Sequence, residues 1–542
     1  MKEPSPQREG KAPNEKSEQT EKYDEHHQTD RDTFLKSSSE HNSPSTSHHR
    51  HESLSKTPTA KDEPTSEARP TLTTASSAAP LHSVFTKNQK RFIVFMASWG
   101  GFFSAVSSNI YFPALNSLAA DLHVSKTLIN LTLTSYMIFQ GLAPAFIGEL
   151  ADTAGRRPAY FFCFVVYIAA CIGLALQNSY AALFLLRCLQ STGSSGTIAL
   201  SSGVVADVAT AQERGKYMGF VTAGSLLGPA IGPVMGGILS QFLGWRSLFW
   251  FLVIFAMCWL SLFIVFFPET ARTAVGNGSI TPRGWNMSLL DYLAARKTQK
   301  EHDADPSYTS IKSSHPKKKR RFPNPLSSLL SIYDKENAII LLVNAFLFAV
   351  FYDITATLPS IYAQIYNFND LQIGLCYIPF GVGACLAALS NGQLLDRNFR
   401  RWARRLDFEL RPNRQSDLTN FPIEKARLQV ALPGYYIASM ITIAYAWNIE
   451  YDGPLAVNLV LLFFMSYCLT VSFNVSSTLL IDFYPQSPAT ATAANNLFRC
   501  LLGAGATGLI QPMINAMGRG WAFTFLGLFL LAASPLLWVV YF

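Results

Sequence analysis

Runs of about 20 apolar residues recur along this chain from Phe92 onward, the length that one helix needs to cross a bilayer. Away from water, only helices or closed barrels satisfy every backbone group, so such a chain has few folds open to it. Twelve runs can be placed. The first six lie near 92–115, 128–147, 158–176, 181–204, 217–239 and 248–266, and the second six near 338–361, 373–389, 428–447, 455–480, 491–514 and 521–542. The spacing predicts an all-α membrane protein with twelve transmembrane helices in two six-helix, pseudo-symmetric lobes. Its parts would be a tail (1–88), a first lobe (89–267), a central link (268–337) and a second lobe (338–542).

A short pattern occurs after the second run of each half. Gly148, Asp152, Gly155, Arg156 and Arg157 form the first copy, and Gly392, Asp396, Arg400 and Arg401 form the second. A repeated loop in corresponding places of two halves points to a two-lobed transporter. Gly148 would allow close helix contact, Asp152 would accept hydrogen bonds from a neighbouring helix end, and the arginines would face the membrane surface. The pattern can act as a charge latch between sliding helices. A simple basic turn is the alternative reading.

Hydrophobic residues make up 49% of the chain although the first 90 or so positions hold few, so the remainder is richer than the mean. The tail is polar and carries seven of the ten histidines, a composition expected of a disordered segment rather than a metal site. All eight cysteines fall in apolar runs without metal-ligand spacing and read as small core residues. The net charge of +8 gathers in the links between runs, where topology explains it without nucleic acid. Nine Lys and Arg lie between Arg397 and Arg427, and the basic run 317–321 lies in the central link. The positive-inside rule then places both termini and the central link in the cytoplasm. The Asn277-Gly278-Ser279 acceptor, on that side, would stay unmodified.

Charges inside the runs are the candidate working groups. Arg187 lies in the fourth run and Arg499 in the eleventh; a mid-membrane cation needs a cavity or a partner, with snorkelling the alternative for Arg187. Asp353, in the seventh, is the only carboxylate deep within a run, and burial would make it a proton carrier. It competes with a reading in which the helix breaks near Pro359 and leaves it at the outer mouth. An Asp353–Arg499 pair is one geometry open to them. Asp207, Arg214 and Asp482 read as helix-end charges, and Tyr136, Gln140, Asn495 and Asn496 as polar cavity groups. Phe348 and Tyr352, one turn apart, could hold lipophilic cations. The fifth run sets Gly224, Gly228, Gly232 and Gly236 at four-residue spacing beside Pro229, Pro233 and Gly237, giving one nearly bare, bent face.

These residues resemble the major facilitator superfamily, and within it the fungal twelve-span drug:proton antiporters of the quinidine-resistance-like branch. Positions 148–157 resemble the family's loop signature, 187–190 its fourth-span signature and 224–237 its antiporter signature. Ala206-Asp207, Glu213-Arg214-Gly215, Gly244-Trp245-Arg246, Phe267-Pro268-Glu269-Thr270 and the stretches 275–279 and 494–499 are also similar. Thr153 and Ser191 depart from the usual basic residue and Gly. The resemblance covers about 92–542.

It implies a plasma-membrane, proton-coupled antiporter that exports drugs or other lipophilic, cationic compounds by alternating access. No nucleotide-binding loop or catalytic constellation appears, so neither an enzyme nor a cofactor is expected, only the proton gradient. The expected partners are a small-molecule substrate and the lipid bilayer, with the chain acting as a monomer. A dedicated exporter of a polyamine, amino acid, spore-wall precursor or secondary metabolite would share every motif. A proton-symporting importer and a nutrient sensor are the further rivals.

Overall fold

A computed structural model of the protein describes residues 83–209, 211–280, 282, 284–293, 296, 335–406, 421–483 and 488–542, the side chains of 211, 212, 214–216, 222–226 and 488–490 excepted. Nearly all of the expected tail, the basic run 317–321 and most of the link 268–337 lie outside the described residues, as do the side chains of Arg214 and the stretch around Gly224.

The described residues form helices without strands: α1 Lys87–Asn109, α2 Leu115–Asp121, α3 Lys126–Ala154, α4 Arg156–Leu176, α5 Tyr180–Val208, α6 Ala211–Leu243, α7 Arg246–Phe266, a single turn α8 Arg272–Val275, α9 Lys335–Tyr366, α10 Asp370–Arg405, α11 Ile423–Glu450, α12 Leu455–Phe483 and α13 Pro488–Tyr541. Gly518, at φ 84° and ψ 165°, breaks α13 into two spans. With α1, α3–α7 and α9–α12 this gives the twelve spans that the apolar runs predict. Among the described residues, eight helices qualify as membrane-crossing by length and composition alone, α13 counted once. Helices α1 and α5 are less apolar because Ser, Thr and Gly replace larger apolar residues, and such small residues let helices approach closely.

Local sequence sets several starts. Thr86 caps α1 in a reciprocal box with Gln89, and Asn369 caps α10 in the same way with Gln372. Ser125 and Ser179 cap α3 and α5. Helix α9 runs unbroken through Pro359 to Tyr366, so Asp353 does not sit at a broken mouth.

Each half packs by the same plan. In the first, α1 lies on α5 and α6, α3 on α5, and α4 on α5 and α7; in the second, α9 lies on α12 and α13, α10 on α12, and α11 on α12 and α13. The two largest contacts that join the halves are α6 against α10 and α3 against α13, with smaller ones of α9 against α2 and α3. The starts of α1, α4 and α6 and the end of α13 share one end of the bundle, the terminal end. The α1–α3, α9–α10 and α11–α12 connections share the far end.

At the far end Trp245 and Arg246 both bond Asp121, at 2.9 and 3.0 Å. The indole N–H and then the guanidinium hold that carboxyl below its usual range. Arg519 approaches Asp452 at 3.3 Å and Glu450 at 3.8 Å beside the Gly518 break. These residues line a surface cavity of about 400 Å³.

Candidate functional site

Helix α6 forms the seam on two sides at once. Along one side a Cβ on Gly228, Gly232 or Gly236 would run into Ala105, Asn109 or Ile110 of the α1 segment at under 3 Å. Along the other, a Cβ on Gly237 would stand 2.6 Å from the Asp370 carbonyl oxygen, and Ala230 fills the space beside Gly381. Pro233 presents its carbonyl to Gly374 of α10, while Pro229 stays inside the continuous helix. The glycine face expected from spacing is therefore a packing surface for α1, and a second small-residue face carries the other lobe.

Polar groups complete the seal at the far end. The Asp370 Oδ2 accepts from Ser117 at 2.5 Å and also from Ser240. Asn116 Nδ2 donates to the Pro359 carbonyl at 2.8 Å, and Phe112 stacks on Tyr377 at 6.0 Å. Near mid-membrane, Asn496 Nδ2 donates to the Gln140 carbonyl at 3.1 Å. A Cβ built on Gly148, Gly219 or Gly392 meets nothing within 4 Å, so Gly148 does not serve the close helix contact expected of it.

Arg187 lies in the first lobe, 1% exposed, so it does not snorkel. Its guanidinium carbon sits 4.1 Å from the Tyr111 ring centre and 4.2 Å from that of Tyr136, and Nη1 donates to Gln190 Oε1 at 2.6 Å. The Tyr136 hydroxyl pairs with Ser194 at 2.8 Å, and that of Tyr111 with Thr132 at 3.0 Å. Arg187 enters none of the ion pairs among the described residues; aromatic faces and one amide hold it.

Arg499 is the second lobe's counterpart. Its Nε and Nη2 both donate to Asn496 Oδ1, at 3.2 and 2.8 Å. Phe348 lies 4.9 Å and Phe473 5.6 Å from its guanidinium carbon. Phe348 and Tyr352 do stack, at 4.5 Å, but the protein's own cation lies over Phe348. Asn495 and Asn496 part company, as adjacent helix positions must. Asn495 joins Asn344 and Ser477 inside the lobe, while Asn496 reaches the seam. Gln140 meets Asn496 through its backbone, and its own Oε1 is buried without a partner.

Asp353 is 1% exposed in α9, and its Oδ1 has no hydrogen-bond partner. It makes no ion pair with Arg499. The open alternative of a direct pair is therefore not the geometry found.

The repeated pattern is helical rather than a loop. Gly148 to Ala154 continue α3, with the turn made only by Gly155 at φ 113°, and the whole second copy lies inside α10. Arg156 bonds Asp152 at 2.9 Å and Asp207 at 2.8 Å. Arg157 is buried instead of facing the surface, donating to the carbonyls of Ile264 and Trp285 at 2.6 and 3.3 Å. In the second lobe Asp482 pairs with Arg427 at 3.0 Å, a residue near the start of α11 as Arg156 is at the start of α4. Asp396, Arg400 and Arg401 are exposed and enter none of the described ion pairs. The repeat thus misassigned the second-lobe arginine, because α10 runs on to Arg405 before the chain turns. Asp207 and Asp482 lie next to the C-terminal ends of α5 and α12.

Three residues escaped the sequence reading of the site. Glu269, 2% exposed, accepts from the Arg156 and Arg157 backbone N–H groups at 2.9 and 3.1 Å and also from those of Thr270 and Ala271. Only its place in the Phe-Pro-Glu-Thr similarity marked it. Asp370 reads locally as an ordinary first-turn acid, and Tyr111 as one aromatic among many.

The model of the Major Facilitator Superfamily matches residues 97–507. The chain is 46% identical over 459 residues to the MFS-type transporter phiD of Fungal sp. (strain ATCC 74256), covering 84% of this chain and 68% of the relative. It is 41% identical over 457 residues to the MFS-type transporter tstD of Talaromyces stipitatus, covering 84% and 82%. Citrate exporter 1 of Aspergillus niger is 36% identical over 475 residues, covering 86% and 88%. Among solved structures, the human organic anion transporter MFSD10 aligns with a TM-score of 0.52 at 18% identity, over 83% of this chain and 99% of that one, a likeness of fold.

Proposed function

Because this chain belongs to the Major Facilitator Superfamily, a family of transporters and not of enzymes, we propose that it exports an organic compound from the cytoplasm in exchange for protons. The observation that carries this reading is a seam between two lobes that is tied by polar groups at the far end, where Asp370 of the second lobe accepts from Ser117 and Ser240 of the first. Rocking of one lobe on the other about α6 would release this tie and expose the cleft alternately.

The buried Asp353 is the proposed coupling acid, since a desolvated carboxyl without a cation beside it can carry a proton between the two states. With the termini in the cytoplasm, the sealed end faces outward. The plasma membrane is the proposed location, and one chain is the proposed working unit.

Export of drugs and export of one dedicated compound share these elements. The named activity of the Aspergillus niger relative, covered over 88% of its length, favours the dedicated exporter. Efflux from loaded cells, with and without a protonophore, tests the reading. Expressing cells should retain less substrate than controls, and the protonophore should abolish the difference. A difference that survives removes proton coupling, and gradient-driven uptake would make the protein an importer.

A further inference from the structure

Two arginines lie deep in the bundle, one per lobe, and they are not equivalent. Arg187 is enclosed: two tyrosine faces and Gln190 surround it, and it is 1% exposed. Arg499 is only half-buried and stands at the seam beside Asn496, which the first lobe holds through the Gln140 carbonyl. Both of its donating nitrogens converge on one acceptor, Asn496 Oδ1, so Nη1 donates to no oxygen among the described residues. No described carboxylate forms an ion pair with it. A cation placed so deep is expensive to insert, so it faces a partner or a pathway; Arg187 has its partners, whereas Arg499 stands at the seam with a single amide. Phe348 and Phe473 flank the guanidinium, and Tyr352 continues the aromatic wall from Phe348.

Resting on the exporter reading above, we propose that Arg499 anchors a carboxylate of the transported compound, which is an organic anion with a flat or lipophilic body. The carboxylate meets the free edge of the guanidinium, and the body lies along Phe348, Phe473 and Tyr352. A lipophilic cation is disfavoured at this place, because the guanidinium already covers the Phe348 face and repels a second positive charge. Arg499 and Asn496 would then couple the substrate to the seam itself, since Asn496 bonds across it.

The test uses purified full-length protein in lipid nanodiscs, with carboxyfluorescein as an aromatic anion and rhodamine 6G as a cation on a similar ring system. Anisotropy should show tighter binding of carboxyfluorescein, and benzoate or citrate should compete with it. Arg499→Ala should weaken the anion by about tenfold or more, the loss of a charge-assisted contact, with Arg499→Lys in between. Equal affinity in Arg499→Ala, preference for rhodamine 6G, or no binding of any of the three anions at millimolar concentration overturns the proposal. If Arg499→Ala does not fold, carboxyfluorescein against its uncharged ester on the wild type decides by the same criterion. Flux in proteoliposomes separates the two claims. Anion binding without flux keeps the site and removes the exporter, whereas rhodamine 6G export without anion binding keeps the exporter and removes the site.

Discussion

Gly237 of α6 and Gly374 of α10 face each other across the seam, and a Cβ placed on either would stand 3.1 Å from the other's Cα. Two backbones from different lobes thus meet with no side chain between them. Close approach of this kind contributes dispersion contacts and shape, with little chemistry to hold the lobes in one state. It suits a contact that has to form and part repeatedly.

Gly374→Val should hold the seam apart at the far end. Its Cβ position already lies 2.6 Å from the Pro233 carbonyl oxygen, which is backbone and cannot turn away. Overpacking costs about 1–3 kcal/mol, enough to move a two-state population about 5- to 150-fold. Flux at matched surface expression should fall sharply, with Gly374→Ala milder. Wild-type flux in the valine variant would show that the close approach is dispensable.

Asp370→Ala leaves the Ser117 and Ser240 hydroxyls without their shared acceptor. The loss of about 1–3 kcal/mol falls on the sealed state. Spin labels at the exposed His123 and Asn367, with exposed Cys258 replaced, should report a longer distance across the far end than in the unsubstituted protein. An unchanged distance distribution would remove Asp370 from the seal.

Arg156→Ala and Arg400→Ala separate the two copies of the repeated pattern. The first breaks the ties to Asp152 and Asp207 and should cost about 3 kcal/mol, lowering the melting temperature. The second removes an exposed charge outside the described ion pairs and should stay within about 0.5 kcal/mol. Equal losses would mean that the second copy works as the first does; Arg427→Ala, not Arg400→Ala, is the expected match.

Asp353→Asn keeps shape and removes the titrating group. If Asp353 carries the proton, vesicles bearing the variant should still exchange substrate down its gradient but no longer build it up against one. Accumulation at the wild-type level would assign coupling to another acid.

The architecture was legible because it follows from run length and from the polar intervals between runs. The apolar runs placed the spans, whereas their ends extended further wherever polar turns continued the helix, as α10 does to Arg405. The site was legible in its parts only. Arg187, Arg499 and Asp353 stand out because a charge in an apolar run is conspicuous. What each touches depends on which helices pack together, so neither the tyrosine sandwich around Arg187 nor the separation of Asp353 from Arg499 could be read locally. Repetition even misled: Arg400 repeats the spacing of Arg156, yet Arg427 takes its place on Asp482.

Glu269 has a mechanical consequence. The chain leaves α7 at Phe266 and is fastened at once: Glu269 on the start of α4, Thr273 on the Asp152 carbonyl, Asn277 on the Val84 backbone and Trp285 on Arg157. Any tug that the second lobe exerts along the chain is taken up by these fastenings before it reaches the last helix of the first lobe. They work as a cable clamp does, sparing the joint behind it, so α7 can stay seated on α4 through each transport cycle.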